Sequence, residues 1–214
     1  MDLYFTVIWG GKTLLLINII YLLLIVKHLT RPMIVLLVLL IGIFCLEITI
    51  AYFAHHNQAN VHLTHFYTSG QFLLISVVYY KQLKKFKKII PFGVILYSSI
   101  LLYQIIDSKI VYDEFNTSGF LVSACLMMGY AFFYYIEHIR EKRYWDTFNV
   151  GLFLYLGGSS IIFLTINSWK NLEGWNMFIW TINGGLIILY QGFITATIYR
   201  FHRVQKNRNG ISSI

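Results

Sequence analysis

Residues 42–72 read GIFCLEITIAYFAHHNQANVHLTHFYTSGQF. Two apolar runs flank a short polar connection, which holds several histidines but no Lys or Arg. Glu47 is the one carboxylate set deep within an apolar run of this stretch. Because an apolar run of about 20 residues is long enough to cross a bilayer as a helix, this stretch predicts two membrane spans joined by a loop. The missing basic residues place that loop on the side of the membrane away from the cytoplasm.

The composition of the whole chain is that of a membrane protein. Hydrophobic residues make up 57% of the 214 residues and charged residues only 12%, with a mean hydropathy of +0.64. A soluble domain carries about twice that fraction of charge. Cys45 and Cys125 both fall in apolar segments, where a structural disulfide is not expected. The sequence therefore predicts a multi-pass protein of the cell membrane, with the bacterial inner membrane as its location.

Apolar segments long enough to cross a bilayer occur seven times. The predicted fold class is thus all-α, a single seven-helix transmembrane bundle over 1–207 followed by a disordered cytoplasmic tail over 208–214. The predicted spans are 8–27, 33–54, 63–80, 89–107, 118–137, 147–167 and 177–199.

The basic residues lie almost entirely on one side of this bundle. Connections after spans one, three and five, and the tail after span seven, hold 14 of the 17 Lys and Arg residues. The positive-inside rule therefore predicts an N-terminus outside and a C-terminus inside. The net charge of +8 is distributed as a membrane topology requires, so no nucleic-acid partner is expected. The 14 residues are Lys27, Arg31, Lys81, Lys84, Lys85, Lys87, Lys88, Arg140, Lys142, Arg143, Arg200, Arg203, Lys206 and Arg208; the opposite side has Lys12, Lys109 and Lys170.

Polar residues within the spans concentrate in the half that this topology places outside. Since polar side chains facing lipid are costly, most are expected to point into the bundle and to form an outward-opening cavity. Span three presents His65 with Ser69 and Thr68 with Gln71 on its faces. The alternative is that these groups only bond each other across helices. The residues predicted to bind a ligand are Asn18, Glu47, His65, Gln71, Ser160 and Asn183.

No catalytic residue, cofactor or metal ion is predicted. Span seven has no lysine, which excludes a retinal Schiff base, and the chain has no HExxH or G-x-S-x-G motif. The one alternative for a metal site uses His55, His62 and His65, without a motif of fixed spacing to support it.

Several segments of the chain carry a family resemblance. The sequence resembles an uncharacterised group of short seven-span bacterial membrane proteins, often encoded near histidine kinases that lack an obvious sensor. In that group a carboxylate commonly occupies the position of Gln71 and a proline that of Gly70, so this chain departs there. The similar segments are Glu47, His65-Phe66-Tyr67 through Gln71-Phe72, Phe115-Asn116, Asn149 to Phe163, and Trp180 with Asn183.

Three functions stay open at this point. The first is a sensor or receptor subunit that binds a small ligand in the outward cavity and signals to a separate cytoplasmic partner. The second is a small-solute or proton-coupled transporter with a three-plus-one-plus-three helix arrangement and Glu47 as its site. The third is a membrane-embedded enzyme built from scattered polar residues.

Overall fold

The fold is all-α, as the sequence predicts. The structure is a computed structural model that describes residues 2–56, 58, 60, 62–107, 116–141, 143–166 and 175–211. Within these residues there are seven α-helices and one short 3₁₀ turn, Val26–His28. The α-helices are α1 Asp2–Leu24, α2 Arg31–His55, α3 His62–Gln82, α4 Ile89–Ile106, α5 Thr117–His138, α6 Trp145–Ile166 and α7 Trp175–Ile211.

Some sequence predictions lie outside the described residues. Lys109 and Lys170 of the predicted outer face, Lys142 of the inner face and Phe115 of the resemblance belong to this group.

Membrane-spanning character is clear for six of the seven helices found in the described residues. α1, α2, α4, α5, α6 and α7 are each long and apolar enough to cross a bilayer. α3 has the length but carries more polar side chains, and its Thr68, Gln71 and Ser76 are buried. The chain is therefore a helical protein of the multi-pass membrane type.

The ends of two helices differ from the predicted spans. α1 begins at Asp2 instead of residue 8, and α7 continues to Ile211 instead of ending at 199. At about 1.5 Å per residue, the 37 residues of α7 extend about 55 Å, well beyond the ~30 Å hydrocarbon core of a bilayer. The helix thus includes the first residues of the segment 208–214 predicted as a tail.

The helices group into two compact units. Unit 1 contains α1, α6 and α7, and unit 2 contains the four consecutive helices α2 to α5. The prediction of one bundle over 1–207 stays a prediction.

In unit 1 α7 packs against both α1 and α6. α1 and α7 run parallel, because the end of α1 near Val7 meets Gly184 whereas its other end, at Tyr21, meets His202. α6 runs antiparallel to α7. A Cβ at Gly151 would collide with Phe193, so glycine permits this close approach.

In unit 2 α3 is the central helix and packs against α2 and α4. It also contacts α5 through aromatic rings, with Phe72 beside Tyr130 and Tyr79 beside Tyr134. These pairs show that α3 and α5 run parallel. A Cβ at Gly93 would collide with the phenol of Tyr130, so α4 and α5 approach each other closely at that glycine.

Candidate functional site

The residues predicted to bind a ligand fall into both units. Asn18, Ser160 and Asn183 belong to unit 1, whereas Glu47, His65 and Gln71 belong to unit 2. The two sets have different surroundings within their own units.

Asn18 is the centre of a hydrogen-bonded cluster between α1 and α7. Its Nδ2 donates to Gln191 Oε1 at 2.9 Å and to the Gln191 carbonyl oxygen at 3.1 Å. Its Oδ1 accepts from Thr195 Oγ1 at 2.8 Å. Asn18 is fully buried and Gln191 is 3% exposed. These bonds, which we call the Asn18 cluster, account for the burial of the Asn18 amide without a ligand.

A second polar contact of unit 1 joins α6 to α7. The hydroxyl of Ser159 donates to Asn183 Oδ1 at 2.9 Å, and both residues are buried. Ser160, the predicted site residue, is the next residue along α6, and its buried Oγ has no hydrogen-bond partner in the described residues. The bonded serine is therefore the neighbour of the predicted one.

Unit 2 contains a groove between the first half of α3, the last half of α4 and the start of α5. We call it the His65 groove; its volume is about 240 Å³, enough for about eight water-sized groups of about 30 Å³ each. It is lined by Thr64, His65, Phe66, Thr68, Ser69, Tyr97, Leu101, Ile105, Asn116, Gly119 and Phe120.

The polar wall of the His65 groove comes mainly from α3 and α4. Ser69 Oγ and Tyr97 Oη lie 3.1 Å apart and share a hydrogen bond. His65 is one helical turn before Ser69, and its buried Nε2 has no hydrogen-bond partner in the described residues. A buried polar atom without a partner costs about 1–3 kcal/mol. The groove wall therefore holds a hydroxyl pair and His65, whose Nε2 is buried and unpartnered in the described residues.

Apart from Thr64, Thr68 and Asn116, the rest of the lining is apolar, and part of it is open to the surroundings. Phe66 is 66% exposed and Ile105 is 58% exposed, whereas Phe120 on the opposite side is buried. Ile105 is on α4, which has membrane-spanning character, and exposed aliphatic chains on such a helix are of the kind that faces lipid.

Asn116 fixes the rim of the groove where α5 begins. Its Oδ1 accepts the backbone N–H of Gly119 at 2.9 Å, as a helix N-cap does. Its Nδ2 donates to Gln104 Oε1 at 2.9 Å, and Gln104 Nε2 donates to Ser118 Oγ at 2.7 Å. This network ties the end of α4 to the start of α5.

Packed aromatic rings close the groove on the side of the unit interior. The ring centroid of Phe72 lies 4.4 Å from that of Tyr97 and 6.3 Å from that of Tyr130. Tyr79 continues the stack at 5.9 Å from Tyr130. All four side chains are buried. The groove consequently ends on a dense aromatic layer.

Glu47 and Gln71 lie on the neighbouring helix pair of unit 2. Glu47 is half-buried on α2, and Gln71 is 3% exposed with no hydrogen-bond partner for its Nε2 in the described residues. The rings of Phe53 and His62 meet at 5.9 Å where α2 and α3 adjoin. Glu47 precedes Phe53 by six residues, and Thr68 follows His62 by six residues, which is ~9 Å along each helix. Glu47 is therefore level with Thr68. The predicted role of Glu47 in ligand binding stays a prediction.

The histidines at the end of this helix pair contact aromatic neighbours. His62 packs edge-on against Phe53, and exposed His55 packs against His56, with ring centroids 5.4 Å apart. Across the residues that the structure describes, no three His, Cys, Asp or Glu side chains come together as metal ligands.

Comparison with protein-family models, curated proteins and solved structures finds no match for this chain. The resemblance to the seven-span bacterial group stays an expectation. Any functional inference must therefore come from the geometry of the chain itself.

Sequence reasoning placed His65 with Ser69, and Thr68 with Gln71, but missed two other parts of the groove. Tyr97 lies within an apolar run, where a tyrosine gives no signal of a hydrogen bond to another helix. Asn116 is followed by Thr117 and Ser118, and nothing in this run of polar residues singles out Asn116 as the cap. A polar residue just before an apolar helix is a usable N-cap signal and could have identified Asn116.

Proposed function

We propose that the chain is a receptor-like membrane subunit that binds a small amphipathic molecule in the His65 groove and signals to a cytoplasmic partner. The observation that carries the proposal is a mainly apolar groove lined by the Ser69–Tyr97 pair and by His65, whose Nε2 is unpartnered in the described residues. Pockets for small molecules combine apolar walls with a few placed polar groups in this way.

The lining also limits the chemistry of the ligand. Among the described residues it contains no Lys, Arg, Asp or Glu, so these residues would leave a strongly charged molecule without a counter-charge. A volume of about 240 Å³ suits a molecule of medium length. A ligand with one hydroxyl group for the polar wall and an aliphatic chain for Phe66, Leu101 and Ile105 fits both limits.

Two features favour a receptor over the transporter alternative. Tyr97 of the groove packs on buried Phe72, and the aromatic layer continues to Tyr130 and Tyr79, which favours a closed end over a path onward. The compact units group α1 with α6 and α7, a grouping that repeats of three consecutive helices do not predict. A receptor needs only a binding site whose occupancy shifts a conformational equilibrium.

We further infer seven crossings, with the N-terminus outside and the C-terminus inside. Parallel first and last helices require an odd number of crossings, and α1 and α7 are parallel within unit 1. If only the six strongly apolar helices crossed the membrane, α1 and α7 would be antiparallel. We therefore infer that α3 supplies the seventh crossing. The distribution of basic residues then sets the direction.

Sided labelling checks this topology. Cysteines at Gln58 and Lys85, introduced one at a time in a background without Cys45 and Cys125, are expected to react with an impermeant reagent from opposite sides of the membrane. Labelling of both positions in intact cells contradicts it.

Photo-crosslinking tests the ligand proposal. A medium-chain alcohol bearing a diazirine is irradiated with the purified protein, and the labelled peptides are identified by mass spectrometry. We expect adducts on the segment of α3 around Phe66 and on α4 around Leu101, with competition by 1-octanol and loss in His65→Phe. Labelling spread evenly over exposed helix faces, unaffected by His65→Phe, contradicts the proposal.

A further inference from the structure

A second surface of unit 2 lies at the other end of α3, between α3 and α4. We call residues 81–88 the lysine segment; it contains Lys81, Lys84, Lys85, Lys87 and Lys88, all of them exposed. None of their ammonium groups forms an ion pair within the part of the chain that the structure describes. The segment thus carries a dense positive charge, and within the described residues its ammonium groups have no carboxylate partner.

The backbone of the lysine segment is held by one carboxylate. Glu137, at the end of α5, accepts the backbone N–H of Lys84 at 2.8 Å through Oε1 and that of Lys85 at 3.1 Å through Oε2. Hydrogen bonds to a charged carboxylate are stronger than those between neutral groups. Glu137 is therefore bound to the backbone of the segment, and the lysine side chains are left available.

Aromatic rings gather the ammonium groups on one side. Lys87 Nζ lies 4.1 Å from the centroid of the Tyr80 ring, and Lys81 Nζ lies 5.9 Å from the same centroid. Lys85 Nζ lies 5.4 Å from the ring of Phe86. Tyr80 is itself 39% exposed. Two cations thus share one exposed ring, an arrangement that suits the water–lipid interface, where aromatic residues are enriched.

We propose that the lysine segment is a binding site for the headgroups of anionic phospholipids, with Glu137 as its positioning residue. The segment directly joins α3 to the strongly apolar α4, so it lies at the level of the headgroups when α4 crosses the membrane. Clusters of four to eight basic residues beside a membrane helix bind anionic lipids. This surface is separate from the His65 groove, so either proposal can fail alone.

Native mass spectrometry of the full chain in detergent tests the site, with phosphatidylglycerol and phosphatidylcholine as probes. We expect tighter binding of phosphatidylglycerol. Each exposed lysine near such a surface contributes about fivefold to affinity, so Lys84→Gln with Lys85→Gln weakens the binding about 25-fold. Lys206→Gln removes an equally exposed charge on α7 and is the matched control, with an expected change under about twofold.

Glu137→Gln separates an organised site from simple charge attraction. The substitution makes the chain more positive, so attraction by net charge alone would strengthen the binding of phosphatidylglycerol. If Glu137 positions the segment, the binding weakens instead, because the amide can accept only through its one oxygen. Should Glu137→Gln fail to fold, the double lysine variant, which alters only exposed side chains, carries the test.

Three results would overturn the proposal. The first is equal binding of the two lipids by the wild-type chain, and the second is stronger binding of phosphatidylglycerol by Glu137→Gln. The third is displacement of the lipid by an equal excess of inorganic phosphate or of a poly-glutamate peptide. Displacement by phosphate would assign the site to a soluble phosphate compound, and displacement by the peptide to an acidic protein surface.

Discussion

The Asn18 cluster of unit 1 and the His65 groove of unit 2 are both built from polar side chains within membrane-type helices, but they differ in how those side chains are satisfied. Asn18 uses both ends of its amide on Gln191 and Thr195. His65 leaves its buried Nε2 without a partner in the described residues, at the wall of a groove.

We interpret the difference as a structural use of polarity in unit 1 and, under the proposed function, a binding use in unit 2. A buried polar group with all its hydrogen bonds made joins two helices and resists their separation. A buried group without a partner costs stability in the empty protein. Such a cost is expected where a ligand supplies the missing partner, and functional sites commonly carry it.

The largest expected effect is on the Asn18 cluster. Asn18→Leu removes the bonds to Gln191 and Thr195 and leaves their side chains buried without those partners, so we expect a loss of about 2 kcal/mol in stability. For a chain of this size that corresponds to a fall of about 4–8 °C in the unfolding midpoint. Thermal unfolding of the detergent-solubilised protein measures it.

The matched control for this substitution is Thr13→Val on the same helix. The hydroxyl of Thr13 bonds only the carbonyl oxygen of Trp9, one turn earlier in α1, and the residue is exposed. Its replacement is expected to change the free energy of unfolding by less than about 0.5 kcal/mol. Equal midpoints for Asn18→Leu and Thr13→Val would show that the cluster does not stabilise unit 1.

The helices were predictable because an apolar segment within a membrane forms a helix. At the ends of α1 and α7, however, the helix extends beyond the apolar segment. α1 begins at Asp2, before the apolar run, because polar residues such as Thr6 near the start of a helix do not prevent it from forming. Arginine is too polar to continue a membrane span, but it is a good helix former. α7 therefore continues through Arg200 and Arg203.

The candidate site was predictable only within single helices. The spacing of His65 and Ser69 places both on one face of α3, and both line the groove. Which residues of other helices meet them depends on helix register, which sequence does not specify. Ser159 and Ser160 illustrate the limit, since a rotation of about 100° per residue decides which serine bonds Asn183.

The most direct test compares the effect of 1-octanol on the unfolding midpoints of the wild type, Asn18→Leu and His65→Phe. A ligand that binds the folded state stabilises it by about 2.7 kcal/mol at a hundredfold excess over its dissociation constant. Effects of octanol on the detergent act on all three proteins alike, so the difference between variants is the measurement.

We expect His65→Phe without octanol to be as stable as the wild type or about 1 kcal/mol more stable, because it removes an unpartnered buried nitrogen. Octanol should raise the midpoints of the wild type and of Asn18→Leu equally and leave that of His65→Phe unchanged. A shift that persists in His65→Phe but disappears in Asn18→Leu would contradict the assignment of structural and binding roles to these two clusters.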